Sequence, residues 1–285
     1  MTAPVATDRP VADTVIEVTG VTLRFGGVTS LSGVSLAAPR GEIMAVIGPN
    51  GAGKTSLFNC LTGVYVPQEG HITLHQSSGK AVTLSGRKPH LVTRLGVGRT
   101  FQNIRLFNAL TAVENVKVGA DSRGHAGPIS IMLGLPRTRR EEHANSAKAI
   151  ELLEFVGLAS RRDSVASSLS YGEQRRLEIA RALATAPQVL LLDEPAAGTN
   201  PAEKLDLARL IKRVNTELGI SILLIEHDMK LVMSVATRVV VLNFGKVIAD
   251  GSPEEVQRNP AVIEAYLGTA DTGEAKDGDG DAAQG

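Results

Sequence analysis

The octapeptide Gly48-Pro49-Asn50-Gly51-Ala52-Gly53-Lys54-Thr55 constrains this 285-residue chain more than any other feature. It lies between an apolar run, Ile43 to Ile47, and a segment carrying Leu57, Phe58 and Leu61 at helical spacing. Such a strand–loop–helix lets backbone N–H groups turn inward around a phosphate chain, and the N-terminus of the following helix adds favourable potential for anions. Pro49, Asn50 and Ala52 belong to the same nucleotide-binding loop. Lys54 is placed to reach the β- and γ-phosphates, the Thr55 hydroxyl to bind Mg²⁺, and Ser56 to donate to a phosphate oxygen nearer the ribose. The loop therefore implies a nucleotide site. It does not separate kinases, GTPases and motor ATPases, although the absence of an N-K-x-D sequence counts against guanine recognition.

Composition narrows the class. Lys plus Arg is 30 and Asp plus Glu is 30, so the net charge is +0 and the broad basic footprint of a nucleic-acid binder is missing. At 43% hydrophobic residues the chain can build a large core, yet no apolar run approaches the roughly 18 residues that span a bilayer. The opening MTAPVATDRPVAD lacks the apolar stretch of a secretory signal, and the single cysteine, Cys60, excludes an internal disulfide and a cysteine-cluster metal site. A soluble cytoplasmic α/β chain is expected.

Strand-like runs alternate with helical ones. Strands are expected at Val15–Val18, Val21–Phe25, Gly33–Ala37, Ile43–Ile47, His71–His75, Val189–Asp193, Ser221–Ile225, Arg238–Asn243 and Lys246–Ala249. Several are continuously apolar, as in a parallel sheet covered on both faces. Asn200-Pro201-Ala202-Glu203 starts a helix that carries Leu207, Leu210, Ile211, Val214 and Leu218 on one face and stops at Gly219. Ser252-Pro253 and Asn259-Pro260 open two more. Between about 103 and 184 strand signal is nearly absent, which predicts a helical subdomain. Residues 1–13 and 269–285 read as disordered tails, the second acidic through Asp271, Glu274, Asp277, Asp279 and Asp281.

Two further segments carry chemistry. Val189 to Leu192 leads into Asp193 and Glu194, which places two carboxylates at the ligand edge of a parallel sheet. Asp193 suits a magnesium ligand and Glu194 a base that polarises the attacking water. Leu169-Ser170-Tyr171-Gly172-Glu173-Gln174 precedes a helix with Leu177, Ala180 and Ala184 on its apolar face. Ser170 and Glu173 can form a capping box, and the capped N-terminus is also an anion site. Because the segment lies outside the core that holds Lys54, the phosphate it meets is expected to belong to another subunit.

In this order and spacing, GPNGAGKT, LSYGEQ, LLLDEP and LLIEHD resemble the ATP-binding subunit of an ABC transporter, over residues 15 to 268. The resemblance implies a P-loop (RecA-like) nucleotide-binding domain over 14–268, with a helical subdomain and an N-terminal antiparallel strand region. It implies ATP and Mg²⁺ as ligands. Gln102, in RTFQNIRLF, matches the glutamine that contacts Mg²⁺ and the water. His227, in IEHDM, matches the histidine at the γ-phosphate, although a histidine at a strand end is ordinarily a core residue. Phe25, in LRFGG, matches the aromatic that stacks on adenine, or is alternatively part of the core. Ser170 and Gly172 match the segment that covers a partner's nucleotide. Asn200 departs from the pattern, since an aspartate is common there.

Within the family, RTFQNIRLFNALTAVENV, LSYGEQRRLEIARAL with LLLDEPAAGTNP, LLIEHDMKLVMSVATRVVVLN and GSPEEVQRNPAVIEAYLG resemble the larger ATPase of branched-chain amino acid uptake systems. The stretch 121–141, basic at Arg137, Arg139 and Arg140, resembles an insertion of that subunit. The implied partners are a second ABC ATPase subunit, the same or different, two transmembrane permeases and an extracytoplasmic substrate-binding protein. The implied place is the cytoplasmic face of the membrane. Lipopolysaccharide export, another amino-acid or amide importer, and a soluble ABC ATPase acting on DNA or ribosomes are the alternatives. The last usually carries a long coiled-coil insertion or a second cassette, neither of which is present.

Overall fold

The computed structural model describes residues 14–121 and 136–270, with side chains from 14 to 121 and from 142 to 267. Two sheets organise it. Strands β1 (Thr14–Phe25), β2 (Val28–Pro39), β4 (Glu69–His75) and β5 (Ala81–Thr83) form an antiparallel sheet in the order β2-β1-β4-β5. The second sheet runs β10 (Lys246–Gly251), β9 (Arg238–Asn243), β3 (Ile43–Ile47), β8 (Ser221–Ile225), β7 (Val189–Asp193), β6 (Val97–Arg99). From β9 to β6 it is parallel, and β10 closes one edge antiparallel.

The apolar runs explain the layering. Every residue of β3, β7 and β8 is buried, and successive side chains enter different cores. Met44, Val46, Val189, Leu191, Leu223 and Ile225 pack with helix α1 (Lys54–Leu61) and the inner face of the antiparallel sheet. Leu190, Leu192, Ile222 and Leu224 face the opposite core, which includes helices α5 (Tyr171–Ala184) and α6 (Pro201–Leu218). Full burial of each such side chain is worth about 1.5–3 kcal/mol. These two cores hold β3 and β7 fixed, so the loops at their C-terminal ends share one edge of the sheet.

Helix α2 (Pro89–Leu95) precedes β6. The described helices within residues 103–184 are α3 (Ala112–Asp121), α4 (Pro136–Phe155) and α5, with irregular backbone over 103–110, two short 3-10 turns and one isolated bridge, Thr111 to Val165. Val116, Ala149, Leu153 and Leu177 join these helices to the core of the parallel sheet. Gly119 lets α3 lie directly on α5, because a Cβ there would stand 2.2 Å from the Arg181 carbonyl oxygen. Helices α7 (Met229–Val235), α8 (Pro253–Gln257) and α9 (Pro260–Ala270) complete the fold.

The expected strands are present, and beyond shifts of one or two residues at strand ends the differences are these. β1 is continuous, with shifts of register around Gly20 where the sequence suggested two strands, and β2 starts at Val28 rather than Gly33. β5 and β6 were not expected: three residues are too few to show periodicity, and pairing with β4 and β7 makes them strands. The expected 121–141 insertion and both tails lie, but for their edges, outside the described residues. No helix among the described residues is long and apolar enough to cross a membrane.

Candidate active site

The loop after β3 is held closely on two sides. Gly48 has φ of +147°, and a Cβ there would stand 2.0 Å from the Leu242 carbonyl oxygen of β9. Gly53, with φ of +102°, would meet the Ser30 carbonyl oxygen of β2 at 2.6 Å. Neither position admits a side chain. Lys54 is buried, and its Nζ donates to the carbonyl oxygens of Gly48 at 2.6 Å and Pro49 at 3.0 Å. Burial pulls its ammonium pKa down, while the nearby carboxylates of Glu194 and Asp193 oppose that pull. Ser56 accepts a hydrogen bond from the Ser30 hydroxyl at 2.7 Å, so it is already tied to β2. From α9 the Tyr266 hydroxyl faces the Gly48 N–H.

Asp193 ends β7 with its side chain only 4% exposed, and its Oδ2 accepts from Arg99 at 2.8 Å. Glu194 follows with φ of +45°, a left-handed conformation that costs a non-glycine residue about 1–3 kcal/mol. Its Oε2 accepts from Gln102 Nε2 at 2.8 Å and lies 3.8 Å from His227 Nδ1. The His227 ring is 66% exposed, which sets aside the reading of a core histidine. Behind it, Glu226 is wholly buried. Its carboxylate accepts from the N–H groups of Ala196 at 2.8 Å, His227 at 3.0 Å and Asp228 at 3.3 Å. Gln102, Glu194 and His227 therefore converge, and the charges of Asp193 and Glu194 reach Lys54.

Among the described residues no hydrogen bond or ion pair joins Ser170–Gly172 to the Gly48–Ser56 loop. Ser170 instead caps α5 in a reciprocal box with Glu173, whose carboxyl is held below its usual range chiefly by the Ser170 N–H. Gly172 packs against Glu203, whose carboxylate oxygen would lie 2.7 Å from an added Cβ. Glu203 in turn forms the capping box of Asn200 on α6, so Asn200 is a helix cap here. Phe25 is 46% exposed and meets Tyr65 edge to face at 5.1 Å, which removes the core alternative for that ring.

Thr55, Asp193 and Gln102 offer a hydroxyl, a carboxylate oxygen and an amide oxygen. That donor set fits a small hard cation completed by phosphate and water, as Mg²⁺ prefers. Among the described residues no group of three or more His, Cys, Asp or Glu makes an all-protein cage.

Four residues of the site escaped the sequence reading: Arg99, Arg175, Glu178 and Glu226. Arg175, 1% exposed, donates to the carbonyl oxygens of Phe101 at 2.7 Å and Gln102 at 2.8 Å, and pairs with Glu178 at 3.0 Å. Glu178 accepts from the N–H groups of Phe101 and Arg105 at 3.3 and 3.4 Å, so α5 grips the Gln102 loop by its backbone. The i,i+3 Arg–Glu spacing was the available signal.

The pattern of the family described as ABC transporter matches residues 31–197. That described as branched-chain amino acid ATP-binding cassette transporter matches 246–272. The high-affinity branched-chain amino acid transport ATP-binding protein BraF of Pseudomonas aeruginosa is 46% identical over 256 residues, 90% of this chain and 98% of that protein. Its counterpart LivG of Escherichia coli is 45% identical over 255 residues, again 90% and 98%. Among solved structures, the ADP conformation of MJ1267, an ATP-binding cassette of an ABC transporter, superposes with a TM-score of 0.76 at 30% identity, covering 90% of this chain and 99% of that one.

Proposed function

This chain belongs to the ATP-binding subunits of ABC transporters, and on that premise we propose that it hydrolyses ATP to drive the uptake of branched-chain amino acids. The observation that supports this reading most directly is the meeting of Gln102, Glu194 and His227 at the sheet edge shared with Lys54. In this reading Gly48 to Ser56 hold the phosphates of ATP, and Lys54 exchanges its loop carbonyls for phosphate oxygens. Glu194 takes the proton of the attacking water, with Gln102 orienting the carboxylate and His227 facing the γ-phosphate. Mg²⁺ held by Thr55, Asp193 and Gln102 would offset the charge that builds on the phosphates. Phe25 stacks on adenine.

Ser170 and Gly172 cover the nucleotide of a second ATPase subunit, and the same segment of that subunit covers this one. Closure and reopening then move two permeases, fed by an extracytoplasmic binding protein, with this chain at the cytoplasmic membrane face. A groove of about 420 Å³ beside Gln102, lined by Val64, Phe101, Arg105 and Phe107, is the surface offered to a permease. The substrate reading rests on the 246–272 match and on the named relatives.

The test is uptake of radiolabelled leucine by cells lacking this chain, complemented with wild type or Glu194→Gln. Uptake restored by wild type alone supports substrate class and catalytic glutamate together. Uptake that never depended on the chain refutes the leucine reading and leaves the ATPase assignment standing.

A further inference from the structure

Arg99 occupies the last position of β6, beside the end of β7, and its side chain is 9% exposed. One arm of its guanidinium donates to Asp193 Oδ2 at 2.8 Å. The other donates to Asn59 Oδ1 at 2.7 Å and Thr62 Oγ1 at 3.0 Å, at the C-terminal end of α1. The planar group lies between two rings, 5.1 Å from the Phe101 centroid and 6.0 Å from that of Phe58. Its Nε is buried without a partner, a cost the other contacts offset. Among the described residues Arg99 is the single hydrogen-bond donor to the Asp193 carboxylate. Among the same residues none donates to Oδ1, which is not sealed from the surface and so stays open.

The two ends of this crossbar matter. Helix α1 begins with Lys54 and Thr55, and β7 ends at Asp193. A rigid, planar fork spanning both elements sets the separation of the hydroxyl and the carboxylate that the proposed function assigns to the cation. It also dictates which Asp193 oxygen remains open. A lysine in its place is a point charge and cannot bond both elements with fixed geometry.

We propose that Arg99 is the positioning residue of the cation site, holding Asp193 Oδ1 at a fixed distance from Thr55 by bracing β7 against α1. This rests on the reading of Asp193 as a metal ligand. Fixing the orientation of a metal ligand from behind is commonly worth 10–100-fold in affinity. The opposite effect is also physical: a guanidinium near a divalent cation repels it. The geometry favours bracing, because the positive charge is already neutralised by the oxygen it holds.

The experiment is a Mn²⁺ titration followed by electron paramagnetic resonance, on the full chain with a non-hydrolysable ATP analogue. Affinity for the same analogue in EDTA is measured alongside. Arg99→Met is expected to raise the Mn²⁺ half-saturation by roughly ten-fold or more, with the EDTA affinity unchanged. Arg99→Lys should lie between wild type and Arg99→Met. If Arg99→Met fails to fold, Arg99→Lys carries the test alone, with a several-fold rise expected. Unchanged or tighter Mn²⁺ binding, or an equal loss in EDTA, overturns the proposal. Asp193→Asn separates the layers. If it abolishes Mn²⁺ binding while the Arg99 variants do not alter it, bracing alone is refuted. If Mn²⁺ binding survives Asp193→Asn, the cation assignment and the bracing fall together.

Discussion

Gln102 Nε2 donates to Glu194 Oε2 over 2.8 Å, tying the loop after β6 to the residue after β7. A carboxylate only accepts, so the contact fixes which way the amide points and leaves the Gln102 oxygen available to a cation. The same bond orients the base. Replacing Gln102 by Ala should leave nucleotide affinity within a few-fold of wild type and lower turnover by roughly 10–100-fold. Glu194→Gln should lower turnover more, by roughly 10²–10⁴-fold. Steady-state phosphate release alongside analogue binding checks both. A Gln102→Ala enzyme with normal turnover would refute the orienting role.

Glu178 and Arg175 are each 1% exposed in their side chains and hold the backbone on both sides of Gln102. Burial pushes the Glu178 carboxyl upward, against the pull of Arg175. Removing one partner strands the other charge, so Glu178→Ala should cost about 3–5 kcal/mol of stability. Urea denaturation measures this. The exposed Arg213–Glu217 pair serves as control, and Glu217→Ala should leave the urea midpoint unmoved.

Gly119→Ala sets two effects against each other. Alanine improves helix propensity by about 1 kcal/mol. Its Cβ, however, would stand 2.2 Å from the Arg181 carbonyl oxygen, and backbone cannot step aside as a side chain can. Overpacking of this kind costs about 1–3 kcal/mol, so the variant should melt at a lower temperature than wild type. A raised melting temperature would mean that α3 and α5 separate freely.

Asp228 caps α7 and accepts from Lys204 Nζ at 2.6 Å and the Lys230 N–H at 3.0 Å. The hydrogen bond from Lys204 is the main reason its carboxyl titrates below the usual 3.8. The stability it contributes is therefore present above about pH 4 and is lost as pH falls through the lower folded value. The gap in melting temperature between wild type and Asp228→Asn should hold steady above about pH 5 and narrow under more acid conditions. A gap that stays constant down to acid unfolding would contradict the Lys204 contact.

The sequence was legible where backbone geometry or a buried strand dictates residue type. Glycines at 48 and 53 announce the loop because β9 and β2 leave no room for a side chain. β3 is apolar throughout, and β7 and β8 are apolar but for Asp193 and Ser221 at their ends, because both faces are covered. Asn200, Ser170 and Ser252 announce helix starts because a cap is a local contact, and all three form capping boxes. Long-range polar contacts leave no such mark. Arg99 meets Asp193 across 94 positions and Arg175 meets the Phe101 carbonyl across 74, so neither partner could be read from its neighbours. Glu178 shows locally only its i,i+3 spacing from Arg175, and nothing in its neighbours tells that the pair is buried beside the apolar face of Leu177, Ala180 and Ala184.

Glu226 has a consequence for how this site can change over time. Its one carboxylate anchors the turn beyond Glu194 through Ala196 and the start of the histidine loop through His227 and Asp228. Those two stretches shift together or not at all. A substitution that moves the backbone of either stretch pulls on the other, because both share the one carboxylate. A change at position 226 removes all three of these bonds at once, whereas the bond from the Glu194 N–H to the Ile225 carbonyl oxygen, 2.9 Å, stays.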